Sequence, residues 1–389
     1  MRTSSRGEVD PFIVMDVMEA ARAEEVAGRS VIHMEVGQPG TPAPRLAREA
    51  LARAMEASAL GYTVALGLPA LRARIARLYG EWYGVDLDPN RVVVTAGSSS
   101  AFILAFTALF DRGERVAIGE PGYPSYRNIL SALDLVPVGI PTGPDSRYQP
   151  RPEDLTPDLA GALVASPANP TGTMLGTADL AALIHRAADL GLGFVSDEIY
   201  HGIQYAGRAV TALEISDDVY VINSFSKYFS MTGWRIGWMV VPEAHVRRVE
   251  RLVQNMFICA PHASQVAALA ALDAGDELDA NMAVYAANRA LLLDGLPKAG
   301  FTRIAPPDGA FYIYADVGEL TDDSRALCAR ILREAGVAVT PGLDFDPGRG
   351  ARTLRFSYAG STADVAEGLR RLEAWASASP AHAKTFTSR

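Results

Sequence analysis

Lys227, Asp197, Arg235 and Arg355 are the side chains of this chain best suited to chemistry, and Lys227 is the most telling of them. Only three of the 36 basic residues are lysines, at Lys227, Lys298 and Lys384; the rest are arginines. An arginine stays charged and does not condense with carbonyls, whereas a desolvated lysine can lose its proton and form a Schiff base. Lys298 lies in the polar stretch Leu296-Pro297-Lys298-Ala299-Gly300, and Lys384 in a tail rich in Ala, Ser and Thr. Lys227 sits in Ser224-Phe225-Ser226-Lys227-Tyr228-Phe229-Ser230, directly after the apolar residues 219–222. A chain that otherwise uses arginine yet keeps lysine here points to a site that needs an amine; a surface lysine in a turn is the alternative.

Other residues suit a phosphorylated, pyridine-bearing group. Gly97-Ser98-Ser99 opens a helix and offers backbone N–H groups, hydroxyls and a favourable dipole for a phosphate, or else a plain N-cap. Ser224 adds a hydroxyl. Arg235, eight residues past Lys227, can hold a phosphate by a bidentate contact or form a strand-end ion pair. Asp197 ends an apolar strand, where an unpaired carboxylate is costly. A pyridinium N–H would partner it and keep the ring an electron sink for a carbanion; a helix N-cap is the other reading. Tyr200 and Asn169 can reach a ring hydroxyl, and Tyr123 can stack on the ring. Equally, Tyr200 suits a core, and Asn169-Pro170 and Gly122-Tyr123-Pro124 suit turns.

These residues need elements to bring them together. Apolar runs over 91–95, 115–119, 162–166, 193–196 and 219–223 predict short buried strands, interleaved with helices over 101–110, 124–133 and 177–190. That alternation implies a mostly parallel sheet covered on both faces. Ligands of such sheets bind beyond the carboxyl ends of the strands. All five predicted strand ends carry turn glycines or polar groups, which suggests one large site. From about 301 the texture becomes that of a smaller α+β domain. Its strands are expected over 310–317, 337–339 and 353–358, its helices over 324–335 and 362–376. A helix over 14–26 is expected to pack on it, and only 1–9 and about 377–389 look loose.

The assembled motifs resemble a class I aminotransferase of the fold-type I pyridoxal-phosphate enzymes, the aspartate aminotransferase-like group. The resemblance runs from Val36-Gly37-Gln38-Pro39 to Arg355-Phe356-Ser357-Tyr358-Ala359. Its most specific block is Ser224 through Lys227 to Thr232-Gly233-Trp234-Arg235-Ile236-Gly237, preceded by Asn169-Pro170-Thr171-Gly172 and Asp197-Glu198-Ile199-Tyr200. It implies an α/β fold: a large, mostly parallel sheet domain of the seven-stranded type plus a smaller α+β domain. The expected divisions are 1–40 packing with the small domain, 41–290 binding the cofactor, and 291–389. The cofactor implied is pyridoxal 5'-phosphate. By the same resemblance Lys227 forms the Schiff base and shuttles a proton, Asp197 holds the ring nitrogen, and Tyr200 and Asn169 hold the 3-oxygen. Tyr123 stacks on the ring; Ser98, Ser99, Ser224 and Arg235 hold the phosphate. Arg355 clamps the substrate carboxylate, with Asn169 and the Gly37 backbone assisting. Tyr62 reaches the neighbouring subunit's site, implying a homodimer. The implied reaction moves an amino group from an L-amino acid to a 2-oxo acid by a ping-pong mechanism.

Departures from the family pattern bear on the substrate. Near Ser99 many relatives carry a longer polar side chain. His262 stands where a small residue is usual, and suits either the core or the substrate entrance. Pro341-Gly342-Leu343-Asp344-Phe345-Asp346 carries an acidic residue where glycine is common. No second arginine is placed to read a dicarboxylate. Phe12, Ile13, Val14 and Phe257 are apolar pocket candidates, so an aromatic or aliphatic donor is expected. A C–S β-lyase on the same scaffold would share Lys227, Asp197 and Arg355. A cofactor-binding sensor would need a DNA-binding module, and the 35 residues before Val36 are not notably basic. The net charge of −9 argues against nucleic acid. No apolar run suits a membrane span, and 1–10 lacks the core of a signal peptide. Cys259 and Cys328 lie in apolar contexts and are expected to be buried free thiols, consistent with a cytoplasmic protein; no metal ligand set is visible.

Overall fold

The computed structural model describes residues 1–378. Lys384 and most of the tail expected to be loose lie outside the described residues. Residues 1–10 are exposed, with one short turn at Ser5–Gly7.

Seven strands form the main sheet: β1 (Val92–Thr95), β2 (Arg115–Glu120), β3 (Val136–Pro141), β4 (Gly161–Ala165), β5 (Gly193–Asp197), β6 (Tyr220–Ser224) and β7 (Gly237–Val240). Their order across the sheet is β1-β7-β6-β5-β4-β2-β3. All neighbours are parallel except β7, which runs antiparallel to β1 and β6. Val92 and Val94 join one hydrophobic cluster, whereas Val93 joins the other; Phe194 and Val195, Val221 and Ile222, and Trp238 and Met239 divide the same way. Successive side chains point to opposite faces, so continuous apolar runs signal a sheet buried on both. Each fully buried valine or isoleucine contributes roughly 1.5–3 kcal/mol.

Helix Ser98–Leu109 lies on one face, apolar nearly all round because it is sandwiched under helix Glu243–Met256. Two strands of this sheet were not expected from the sequence. β3 contains two prolines, which usually argue against a strand; it is the sheet's edge, where a missing N–H is tolerated. β7 is short and sits within the glycine-flanked block that follows Lys227.

The smaller sheet is antiparallel. It contains β8 (Arg303–Ile304), β9 (Tyr312–Asp316), β10 (Thr340–Pro341) and β11 (Thr353–Ser357), in the order β10-β11-β9-β8. Of the strand expected at 337–339, Val337–Ala338 instead pairs in parallel with Ile32–His33. Helix Ile13–Val26 packs against both Val337–Ala338 and β10. A single helix, Gly275–Gly295, runs across residue 290. No helix among the described residues is long and apolar enough to cross a membrane.

Candidate active site

The carboxyl ends of β1, β2, β4, β5 and β6 converge on one cavity. Its lining includes Gly37, Ser98, Ser99, Tyr123, Asn169, Tyr200, Lys227, Arg235 and Arg355. Nine residues expected at a site thus meet, although they span more than 300 positions of sequence. Asp197 lies just behind this surface, fully buried at the end of β5. Its Oδ1 accepts from the backbone N–H of Ile199 at 3.1 Å and its Oδ2 from the Tyr126 hydroxyl.

One end of the cavity fits a phosphate. Gly97 has φ +80° and precedes helix Ser98–Leu109, whose first turn has no side-chain cap. A Cβ on Gly97 would come within 2.4 Å of Arg235 Nη2. Only glycine therefore lets the guanidinium lie against a helix start that already favours anions. Ser226 lines this region as well. Ser224 does not: its Oγ donates to Ser226 Oγ at 2.9 Å, and the residue is buried at the carboxyl end of β6.

At the middle of the cavity Lys227 Nζ donates to Gly37 O at 2.6 Å. Burial, then the positive charges of Arg355 and Arg235, push the amine down to about 7 against the opposing pull of Asp197. Burial pushes Asp197 up to about 6, against its Tyr126 and Ile199 hydrogen bonds and Lys227. A carboxylate so placed would be held ionised by a protonated ring nitrogen beside it. Tyr200 Oη meets Tyr312 Oη at 2.7 Å.

Arg355 is buried in the middle of β11, and is not the surface arginine its alternating strand allowed. Its Nη1 donates to Asn169 Oδ1 at 2.9 Å and its Nη2 to Glu35 O. The guanidinium lies between two rings, 4.4 Å from the Tyr312 centroid and 4.6 Å from that of Phe345. Its Nε is buried with no partner. Gly37 closes this side: a Cβ there would sit 1.8 Å from Tyr312 Oη.

Tyr126 and Tyr312 escaped the sequence reading. Tyr126 follows Tyr123 by three positions on helix Pro124–Ala132, a spacing that puts both on one face and was legible. Tyr312 depends on the pairing of β9 with β11, which no local pattern specifies. Of the four apolar pocket candidates, Phe12 and Val14 line the cavity, joined by Met15 and Val36. Ile13 faces a separate groove beside Cys328 and Leu332. Phe257 packs against the hydrophobic core. Cys328 is buried, whereas Cys259 is half-buried.

Tyr62 does not line this cavity; it stands 82% exposed. His262, expected in the core or at the entrance, is half-buried, and its Nδ1 meets Gly61 O at 2.8 Å, beside Tyr62. Gln265 holds the same loop through Thr63 Oγ1 at 3.0 Å.

Residues 29–372 match the family model described as aminotransferase class I and II. The chain belongs to this family. Its members are pyridoxal-phosphate-dependent enzymes with the aspartate aminotransferase fold, and this aminotransferase shares that fold. A valine–pyruvate aminotransferase from Mycobacterium tuberculosis is 48% identical over 96% of this chain and 98% of its own length. The crystal structure of a candidate aminotransferase from Silicibacter pomeroyi is 70% identical, with a TM-score of 0.93 over 97% of this chain and all of that one. Aspartate aminotransferase from Thermus thermophilus is 29% identical, with a TM-score of 0.90 over 96% of this chain and all of that one.

Proposed function

We propose that this aminotransferase moves the amino group of an apolar L-amino acid to a 2-oxo acid, using pyridoxal 5'-phosphate bound in the cavity described. The observation that carries the reading is that Lys227 and Arg355 face one cavity with Asp197 beneath it. In this reading the Ser98 and Ser99 end of the helix and Arg235 hold the phosphate, with Ser226 beside them and Ser224 behind. Tyr123 covers the ring, Asp197 holds its nitrogen, and Tyr200 and Asn169 hold its 3-oxygen. When bound, the cofactor supplies a protonated ring that takes up the electron pair left at the substrate's α-carbon. Lys227 Nζ takes the α-proton, and an amine near 7 suits that task at neutral pH. Arg355 and Asn169 orient the substrate carboxylate, with Gly37 alongside. The donor leaves as an oxo acid before the acceptor enters, which is a ping-pong order.

The side-chain end of the cavity is apolar, formed by Phe12, Val14, Met15 and Val36. Among the described residues lining it, arginine occurs only at 235 and 355. Both are already assigned to anions, so a monocarboxylic donor fits. The printed name of the Mycobacterium tuberculosis relative supports the same class. We further propose a homodimer in which exposed Tyr62, on a loop held at Gly61 by His262 and at Thr63 by Gln265, reaches the partner's phosphate site.

The test mixes cofactor-loaded protein with single amino acids and follows the cofactor's absorbance. Conversion without added oxo acid, reversed by pyruvate, is the expected result for apolar donors. Release of pyruvate and ammonia from cystathionine without such conversion would replace this reading with a C–S β-lyase.

A further inference from the structure

The first turn of helix Ile13–Val26 forms the apolar wall of the cavity, yet it has no cap of its own. Phe12 occupies the cap position and offers no side-chain oxygen. The missing acceptor comes from far along the chain. Asp344, fully buried, accepts from the N–H of Ile13 at 2.9 Å through Oδ1 and from that of Val14 at 3.2 Å through Oδ2. A carboxylate at a helix start satisfies donors left open by the helix and complements its dipole.

The loop around Asp344 touches three parts of the site by separate contacts. The Phe345 ring lies against the Arg355 guanidinium. The Phe345 carbonyl accepts from Gly122 N at 2.9 Å, next to Tyr123. Asp346 accepts from Arg349, which donates in turn to Glu120 O and Thr142 O at 2.6 and 3.0 Å. Of the three, Asp344 is the one whose side chain reaches the wall. Phe12 then meets the Tyr123 ring edge-on at 5.9 Å, and Val14 and Met15 face the cavity.

We propose that Asp344 is a positioning residue for substrate selection, fixing the wall formed by Phe12, Val14 and Met15 and so setting which side chains the cavity admits. The inference rests on the transamination reading above. Loss of Asp344 removes the polar anchor of the wall but leaves Arg355 stacked and the Tyr123 loop pinned. Its effect therefore falls on discrimination between side chains and not on carboxylate binding. Asp344 also places a negative charge near Arg355. That influence acts on every donor alike, and an Asp344→Asn variant removes it while keeping one acceptor oxygen.

The experiment measures kcat/KM of cofactor-loaded protein for alanine, 2-aminobutyrate, valine, leucine and phenylalanine. For Asp344→Ala the ratio between the best donor and the bulkiest is expected to fall about tenfold, the size of one lost cap. Asp344→Asn should restore most of that ratio. Equal scaling of all donors by Asp344→Ala, with the fold intact, overturns the proposal. Should that variant fail to fold, Met15→Ala must shift the same ratio; an unchanged ratio there overturns it too. A wild-type protein that converts no donor would instead remove the transamination reading, and the inference with it.

Discussion

The two sides of the cavity are built differently. Ser98, Ser99, Asp197, Lys227 and Arg235 sit on or just beyond strands of one sheet, within 138 positions of one another. Phe12, Gly37, Tyr312 and Arg355 come from both ends of the chain and are held by docking contacts such as Asp344 to Ile13. The first side inherits rigidity from a core buried on both faces. The second joins the smaller sheet, whose β9–β11 pairing carries Tyr312 and Arg355, to an N-terminal segment docked on it by polar and ring contacts. Chemistry common to a family belongs on the first kind of scaffold, and substrate choice on the second.

The sharpest way to break this contrast is to remove the amine. Lys227→Ala should lower kcat by roughly 10⁴-fold or more, since a positioned proton-transfer group and its covalent role go together. Cofactor binding should persist through Arg235, Ser98 and Asp197, as read by retained cofactor after gel filtration. Near-normal turnover would mean that the rigid side does not house the chemistry.

On the docked side, Arg355→Lys should lower kcat/KM for all donors by about 100-fold. A lysine loses the planar fork that now reaches Asn169 and stacks between Tyr312 and Phe345. The cofactor's absorbance should be unaltered before substrate is added. A variant that lost cofactor instead would show that Arg355 belongs to the first side.

The same contrast explains what could be read from the sequence. Lys227, Asp197 and Asn169 each follow a short apolar run, and an α/β sheet gathers strand ends, so local pattern was enough. Tyr126 was within reach, one helical turn from Tyr123. Tyr312, Met15 and Asp344 act through partners up to 331 positions away, and only the register of β9 with β11 and the docking of the first helix bring them in. β3 was hidden by its prolines, whose tolerance depends on being at an edge, which is a property of the whole sheet.

The smallest expected effect separates two adjacent carboxylates. Asp197 lies just beneath the cavity, while Glu198 is held elsewhere, accepting from Ala212 N at 2.8 Å and Ser196 Oγ at 3.0 Å. Burial pushes Glu198 up to about 8, and its neighbour His201, pushed down to about 4 by burial, stays neutral and lends no charge. At pH 7 Glu198 is therefore mostly protonated, and Glu198→Gln copies its shape and charge. The variant should keep its activity, match wild-type stability near pH 4.5 and exceed it at pH 7, where folding the wild type must take up a proton. Between the ordinary carboxylate value of 4.5 and about 8, the native state holds a proton that the unfolded chain has released. Wild-type stability should accordingly fall relative to the variant as pH rises through that window and level off above it. Parallel unfolding curves from pH 5 to 8 would show Glu198 ionised throughout, and would make it a buried charge of the same kind as Asp197.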